Sequence, residues 1–269
     1  MKLAYRNQKN AEAISRIFNK PLNAPEWFKV QASGEDSEIL IFDYVGWPFN
    51  DPRDLIAALA DLNNVTVRIN SPGGDVFDGM AIYNALNSHK GTITTRVEGL
   101  AASMASVIAM AGKKRQAYGN TMLMIHNAWA YSSGNQFDLR EIADVLEKID
   151  GNLLNIYHEK SKVGKRELAD MMKAETWLNT KEAKEKGFID SIIDGNGAKA
   201  QFDLSVFANV PDALIRDDDL TERDAEKALR EAGFSRSKAK AMLAGRQQNA
   251  EVESITAELK KSISIFGGK

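Results

Sequence analysis

Strand-like and helix-like hydrophobic patterns follow one another along most of this chain. Glu38-Ile39-Leu40-Ile41-Phe42-Asp43-Tyr44-Val45 is an apolar run of the buried-strand kind, and Asp51 to Leu62 spaces Leu55, Ala58 and Leu62 as one helix face. Val65-Thr66-Val67-Arg68-Ile69 alternates with period two, which predicts a half-buried strand. Ser71-Pro72-Gly73-Gly74 breaks the pattern, and Met80, Tyr83 and Leu86 mark the next helix. The unit then repeats: Thr92 to Val97 predicts a strand, and Leu100 to Ala111 predicts an almost wholly apolar helix. Arg115 to Tyr118 and Thr121 to His126 predict short strands. A long helix is predicted from Phe137 to about Lys160, with Leu139, Ile142, Val145, Ile149, Leu153 and Ile156 along one side. Short helices over Glu167 to Met172 and Thr180 to Lys186 lead to a strand over Phe188 to Ile193. Such alternation predicts an α/β layer fold around a largely parallel sheet.

The flanks have a different texture. Residues 1–36 mix a short amphipathic piece, Ala11 to Phe18, with prolines, asparagines and serines, and are expected to be an N-terminal extension. The main domain is expected over 37–203, a linker containing Asp217-Asp218-Asp219 over 204–219, and a small helical C-terminal appendage over 220–269. In the appendage, Thr221 with Asp224 opens one helix and Ser235 caps a second, Arg236 to Ala244. Arg236, Lys238 and Lys240 read as the solvated face of a docking module, with a nucleic-acid-binding helix-turn-helix as the alternative. Val252, Ile255, Leu259 and Ile263 form a narrow stripe suited to packing on a partner helix.

Composition narrows the function classes. The 269 residues, 43% hydrophobic and 27% charged, describe an ordinary globular protein with a real core. Lysine plus arginine (35) nearly balance aspartate plus glutamate (37), which argues against nucleic acid as the main partner. The absence of cysteine excludes a disulfide framework, cysteine-ligated zinc and a thiol nucleophile. Met1 to Gln8 lacks the apolar core of a signal peptide, and Leu100 to Gly112 is shorter than the ~20 residues of a membrane helix. A soluble cytoplasmic protein without membrane contact is the expectation.

Candidate chemistry gathers just beyond strand ends, where ligands bind in open α/β sheets. In Asn70-Ser71-Pro72-Gly73-Gly74 the proline fixes one φ and the paired glycines let bare N–H groups face a cleft, although a tight strand-to-helix turn has the same composition. Ser103, within Gly99-Leu100-Ala101-Ala102-Ser103-Met104-Ala105-Ser106, is expected in the first turn of the apolar helix. Free N–H groups there would stabilise an alkoxide or oxyanion, although small residues also serve close helix packing. Ser106 is the weaker alternative. Of three histidines, His89 lies in a polar loop and His158 on a solvated helix, so His126 at the end of an apolar strand is the candidate base. A serine, a base and a donor loop together are what nucleophilic catalysis requires.

These residues resemble the ClpP family of self-compartmentalised serine peptidases. The resemblance rests on Ile69 to Gly74, Gly79-Met80-Ala81-Ile82-Tyr83, Gly99 to Ser106, Met124-Ile125-His126-Asn127, Glu182-Ala183 and Gly187-Phe188-Ile189-Asp190, spanning roughly Ile39 to Asp194. Within the family the likeness is to phage and prophage ClpP-like head-maturation proteases, through Glu175-Thr176-Trp177-Leu178, Leu100 and the extensions at both ends. The resemblance implies a ClpP/crotonase-like fold of repeated strand-helix units with a long ring-stacking helix. It places the nucleophile on Ser103, the general base on His126, and the oxyanion donors on the N–H groups of Gly74 and Met104, with Gly73 beside them. The family's triad acid is an aspartate, whereas Glu175 stands at the matching position here, with Asp170 as the fallback.

Serine endopeptidase activity on capsid or scaffold proteins is the implied function, with no metal or organic cofactor. Implied partners are copies of the chain in a ring or stacked rings, and room remains for a Clp-type ATPase. The implied location is the bacterial host cytoplasm, with the phage procapsid as the alternative. Rival readings are a housekeeping degrader fed by an ATPase, a catalytically silent shell protein, and a crotonase-like acyl-CoA enzyme.

Overall fold

The structure, a computed structural model, describes residues 11, 12, 14, 15, 22, 28–33, 36–130, 132–195, 202, 204, 206–211 and 214. The expected appendage helices and most of the stretch from Ala11 to Phe18 lie outside these residues. The first of two compact units, Met1–Asp212, holds the sheet and the candidate site.

Four parallel neighbours form the middle of the sheet: β2 (Asp36–Ile41), β3 (Asn64–Ser71), β4 (Ile93–Ala102) and β5 (Lys114–Tyr118). Their shared register lines up Ile39 with Val67 and Thr95, and Ile41 with Ile69 and Val97, on the core face. Thr95 is acceptable there because its hydroxyl donates to Ala109 O at 2.8 Å. On the opposite face Arg68 bridges Glu98 (2.5 and 2.9 Å) and Glu38 (3.0 Å), a diagonal ion-pair ladder across three strands. Helices α1 (Pro52–Ala60) and α2 (Val76–Asn87) follow β2 and β3, as the strand-helix alternation predicts. Asp75 starts α2 by accepting from Phe77 N and Asp78 N, both at 3.0 Å.

Two edges differ from a purely parallel sheet. Strand β1 (Phe28–Ser33), inside the stretch expected to be an extension, pairs antiparallel with β2. At the other side β4 forks. Thr94–Val97 pairs with β5, whereas Leu100–Ala102 pairs with β6 (Met122–Ile125). Strand β6 in turn carries β7 (Thr176–Asn179) antiparallel, and β8 (Ser191–Ile193) closes on β5.

The fork corrects one sequence expectation. Leu100 to Ala111 is not one helix: its first three residues finish β4, and only α3 (Met104–Ala109) is helical. An uninterrupted apolar run fits either state, and pairing with β6 satisfies the backbone of Leu100–Ala102 as strand. Likewise Phe188 and Ile189, expected as strand, are held in a turn through their N–H groups on Ala183 O. Helix α4 (Gln136–Lys160) matches the predicted long helix, but only Leu153, Ile156 and Tyr157 near its end are buried. Phe137 and Leu139 are 69% and 46% exposed. Helices α5 (Lys165–Lys173) and α6 (Thr180–Glu185) complete the described elements. Among the described residues no helix is long and apolar enough to cross a membrane.

Candidate active site

Strand pairing alone brings the sequence-nominated residues toward one place. Ala102 pairs with Met124, so Ser103 and His126 leave neighbouring strands at the same edge, and Ser103 N donates to Met124 O at 2.9 Å. In the antiparallel ribbon Ile125 pairs with Thr176, which sets His126 opposite Glu175 one step beyond the ladder. Strand β3 ends beside β4, with Ser71 opposite Ala101, and delivers Pro72-Gly73-Gly74 to the same edge.

Ser103 is the N-cap of α3, not a member of its first turn, and adopts φ 52° and ψ −128°. Positive φ at a residue with a Cβ is strained backbone, and it has a clear effect here. It turns the side chain outward between strand and helix, the geometry of a nucleophile elbow. Ser103 Oγ lies 2.7 Å from His126 Nε2. Burial pushes the imidazole pKa down to about 4, with Glu175 acting weakly in the opposite direction. At neutral pH the ring is therefore uncharged, and in its Nδ1–H tautomer it accepts from Ser103 Oγ–H at Nε2.

Backbone N–H groups lie in the segments that adjoin Ser103. Met104 is the first residue of α3, so its N–H has no acceptor within the helix. The bridge between Val45 and Gly74 is closed by Val45 N to Gly73 O and Asp75 N to Val45 O, both 2.7 Å, leaving the Gly74 N–H outside it. Gly73, at φ 96°, packs directly on the elbow: a Cβ there would stand 2.7 Å from Ser103 Cβ and 2.9 Å from Met104 N. Glycine is required both by the conformation and by the contact.

The remaining candidates separate cleanly. Ser106 is fully buried; its hydroxyl donates to Ser103 O at 2.6 Å and accepts from Tyr157 Oη at 2.7 Å. Burial raises the Tyr157 pKa, so that phenol keeps its proton. His89 Nε2 bonds Asn63 O at 2.7 Å and His158 Nδ1 bonds Val163 O at 3.1 Å, each away from the serine. Asp170 is exposed on α5. Glu175, at φ 49°, lies at the edge facing His126, yet among the described residues its carboxylate makes no hydrogen bond to the imidazole. It accepts instead from Trp177 Nε1 (3.3 Å), Ala208 N (2.9 Å) and Asn209 N (2.6 Å). The structure thus joins Ser103, His126, Gly73, Gly74 and Met104, and leaves Glu175 adjacent but otherwise engaged.

A sequence model of the Clp protease family matches residues 54–196, which include Gly73, Gly74, Ser103, Met104, His126, Asp170 and Glu175. The chain belongs to the Clp protease family. An ATP-dependent Clp protease proteolytic subunit of Deinococcus radiodurans is 36% identical over 132 residues, 48% of this chain and 65% of that protein. Proteins of the same description from Bacteroides fragilis and Bacteroides thetaiotaomicron are 32% and 31% identical over equal spans, covering 64% and 60% of their lengths. The chain therefore spans less than two thirds of the length of these Clp protease relatives.

Within this Clp protease fold two neighbours of the site escaped the sequence reading. Trp177 was noted only as part of a likeness, and the four-residue strand that carries it is too short for a period to register. Phe207, whose ring centroid lies 5.6 Å from that of His126, falls in the stretch expected to be linker, where no motif announces it.

Proposed function

We propose that the chain is a serine endopeptidase in which Ser103 is the nucleophile and His126 the general base. The observation that carries this reading is the 2.7 Å contact between Ser103 Oγ and His126 Nε2 at a strained elbow against which Gly73 packs. In the reaction, Ser103 Oγ adds to the carbonyl carbon of a peptide bond while His126 Nε2 takes its proton. The N–H groups of Met104 and Gly74 receive the negative charge on the carbonyl oxygen. His126 then protonates the departing amine, and the C–N bond breaks to leave an acyl ester on Ser103. Water, deprotonated by His126, repeats the sequence and releases the acid. Glu175 is the acid that supports the imidazolium, with Asp170 as the fallback.

A fluorophosphonate probe tests the assignment. Mass spectrometry is expected to place the adduct on Ser103, with labelling retained in Ser106→Ala and abolished in Ser103→Ala. An adduct on Ser106 would overturn it.

We further propose that the natural substrates are capsid or scaffold proteins of a phage head, processed by a homo-oligomeric ring of this chain. Glu175-Thr176-Trp177-Leu178, Leu100 and the terminal extensions support this choice. The exposed Phe137 and Leu139 on the projecting half of α4 suit contact with another copy. The second reading, a degradative peptidase fed by an ATPase ring, is favoured by the description of the relatives as subunits of ATP-dependent proteases. Purified chain mixed with head-protein precursor decides between them. Defined cleavage without ATP supports head processing, whereas degradation that needs a Clp-type ATPase and ATP supports the second reading. Removal of residues 217–269 is expected to spare hydrolysis of a small reporter peptide and to impair cleavage of the head protein, if that segment docks the substrate.

A further inference from the structure

The candidate site already holds a piece of polypeptide. Phe207 N donates to Leu204 O at 3.0 Å, a turn that drives the Phe207 side chain inward. Its ring is 8% exposed and meets His126 edge-on at 5.6 Å and Trp177 edge-on at 5.8 Å. The next two residues turn their backbone to the acid. Ala208 N donates to Glu175 Oε2 and Asn209 N to Glu175 Oε1, at 2.9 and 2.6 Å. Asn209 Nδ2 also caps the carbonyl of Ala174 at 2.9 Å, just past α5. Two charge-assisted bonds of this kind are among the stronger neutral-to-ion contacts a backbone makes. They turn the carboxylate toward the backbone of 208–209, and among the described residues no hydrogen bond runs from it to the imidazole.

We propose that residues 206–209 are an internal ligand of the peptidase site, which covers His126 with Phe207 and holds Glu175 away from it. This rests on the serine-peptidase reading given above. The chain as folded here is then a resting form with Ser103 and His126 joined and the acid set aside. The occupant that displaces the strap is a peptide presenting a bulky aromatic side chain to the His126–Trp177 slot. Once the strap leaves, Glu175 is free to accept from the imidazole, and the third member joins the other two.

The experiment uses the full chain and two strap variants, Phe207→Ala and Asn209→Pro, the second removing one of the N–H donors to Glu175. Circular dichroism and the unfolding midpoint establish that each is folded. The rate constant for fluorophosphonate labelling of Ser103, and hydrolysis of a small reporter peptide, are expected to rise at least tenfold in both variants. A synthetic peptide of sequence LSVFANVP, added to Phe207→Ala, is expected to restore inhibition competitively with the reporter. Labelling rates within twofold of the parent, or lower, in folded variants would overturn the strap while leaving the peptidase reading intact. Failure to label Ser103 in parent and variants alike would sink the peptidase reading, and the strap with it.

Discussion

The two sides of the candidate site are built by different means. Ser103, His126 and the Gly73–Gly74 turn stand at the ends of β4, β6 and β3, and their relative positions follow from strand register. Glu175 stands between α5 and β7, and its carboxylate direction is decided by side-chain and backbone donors from Trp177, Ala208 and Asn209. Register is a cooperative property of many ladder bonds, so the first side has one arrangement. A carboxylate rotating about its own side-chain bonds has several, and a neighbouring segment selects among them. The sheet side supplies the permanent chemistry; the acid side is where the site is adjustable.

The sharpest way to break that contrast is to remove the sheet-borne pair. Ser103→Ala and His126→Ala are each expected to lower peptide hydrolysis on the order of a thousandfold or more, measured as kcat/KM in folded protein. A loss under tenfold from either would mean that the chemistry lies elsewhere. Gly73→Ala comes next, because its methyl collides with the Ser103 elbow. A fall of about a hundredfold is expected, with the unfolding midpoint moved far less than the rate.

The acid side calls for a paired measurement. In the parent chain Glu175→Gln is expected to change the rate of Ser103 labelling by a small fluorophosphonate by no more than about threefold, since in the strapped form the carboxylate is not bonded to His126. In the Phe207→Ala background the same substitution is expected to cost about tenfold to a hundredfold, through loss of support for the imidazolium. Asp170→Asn should be silent in both. A dead Asp170→Asn with an unaffected Glu175→Gln would transfer the acid role to Asp170.

Acid titration sharpens the same comparison with a smaller effect. The base must be neutral to accept the serine proton, so activity is lost as pH falls through the His126 pKa. With that pKa pushed down to about 4 by burial, Ser103 labelling in the parent should hold its rate from neutral pH to about pH 5. Removal of the Phe207 ring rehydrates the imidazole and raises its pKa, so the acid limb of the Phe207→Ala profile should lie at higher pH. A limb displaced the other way would contradict burial as the cause. Smallest of all, Tyr157→Phe leaves the Ser106 bond to Ser103 O but deletes its second partner. Chemical denaturation should register about 1 kcal/mol, with labelling changed by less than about fivefold.

The same division explains what could be read from the chain before the fold was known. Alternating Val65, Val67 and Ile69 announced β3, and the apolar run before His126 announced β6, which sets that imidazole beside Ser103. Paired glycines marked the donor loop because only glycine tolerates that backbone. Leu100–Ala102 was misassigned because apolar residues without polar interruption suit a helix and a buried strand equally. The outcome mattered, since it is the strand that throws Ser103 into its strained turn. Thr176–Asn179 was invisible because a four-residue strand is defined by its partner and not by a period. The embrace of Glu175 by Ala208 and Asn209 had no signature at all, because backbone N–H groups are the same in every residue but proline.

The fork in β4 carries one more consequence. The β6–β7 ribbon shares three register pairs with β4, Leu100–Met122, Ala101–Leu123 and Ala102–Met124, with the Thr121 and Thr180 hydroxyls on Tyr118 O beside them, whereas β3 and β4 share a longer ladder that runs from Val65–Ile93 to Ser71–Ala101. Ribbon and trunk are then separate cooperative units, and the amide of Ser103, bonded to Met124 O, belongs to the weaker one. In hydrogen exchange that amide should swap with the ribbon, well ahead of Val67 and Val97. Warmed gently, the molecule would lose the Ser103–His126 pair while the trunk remained folded.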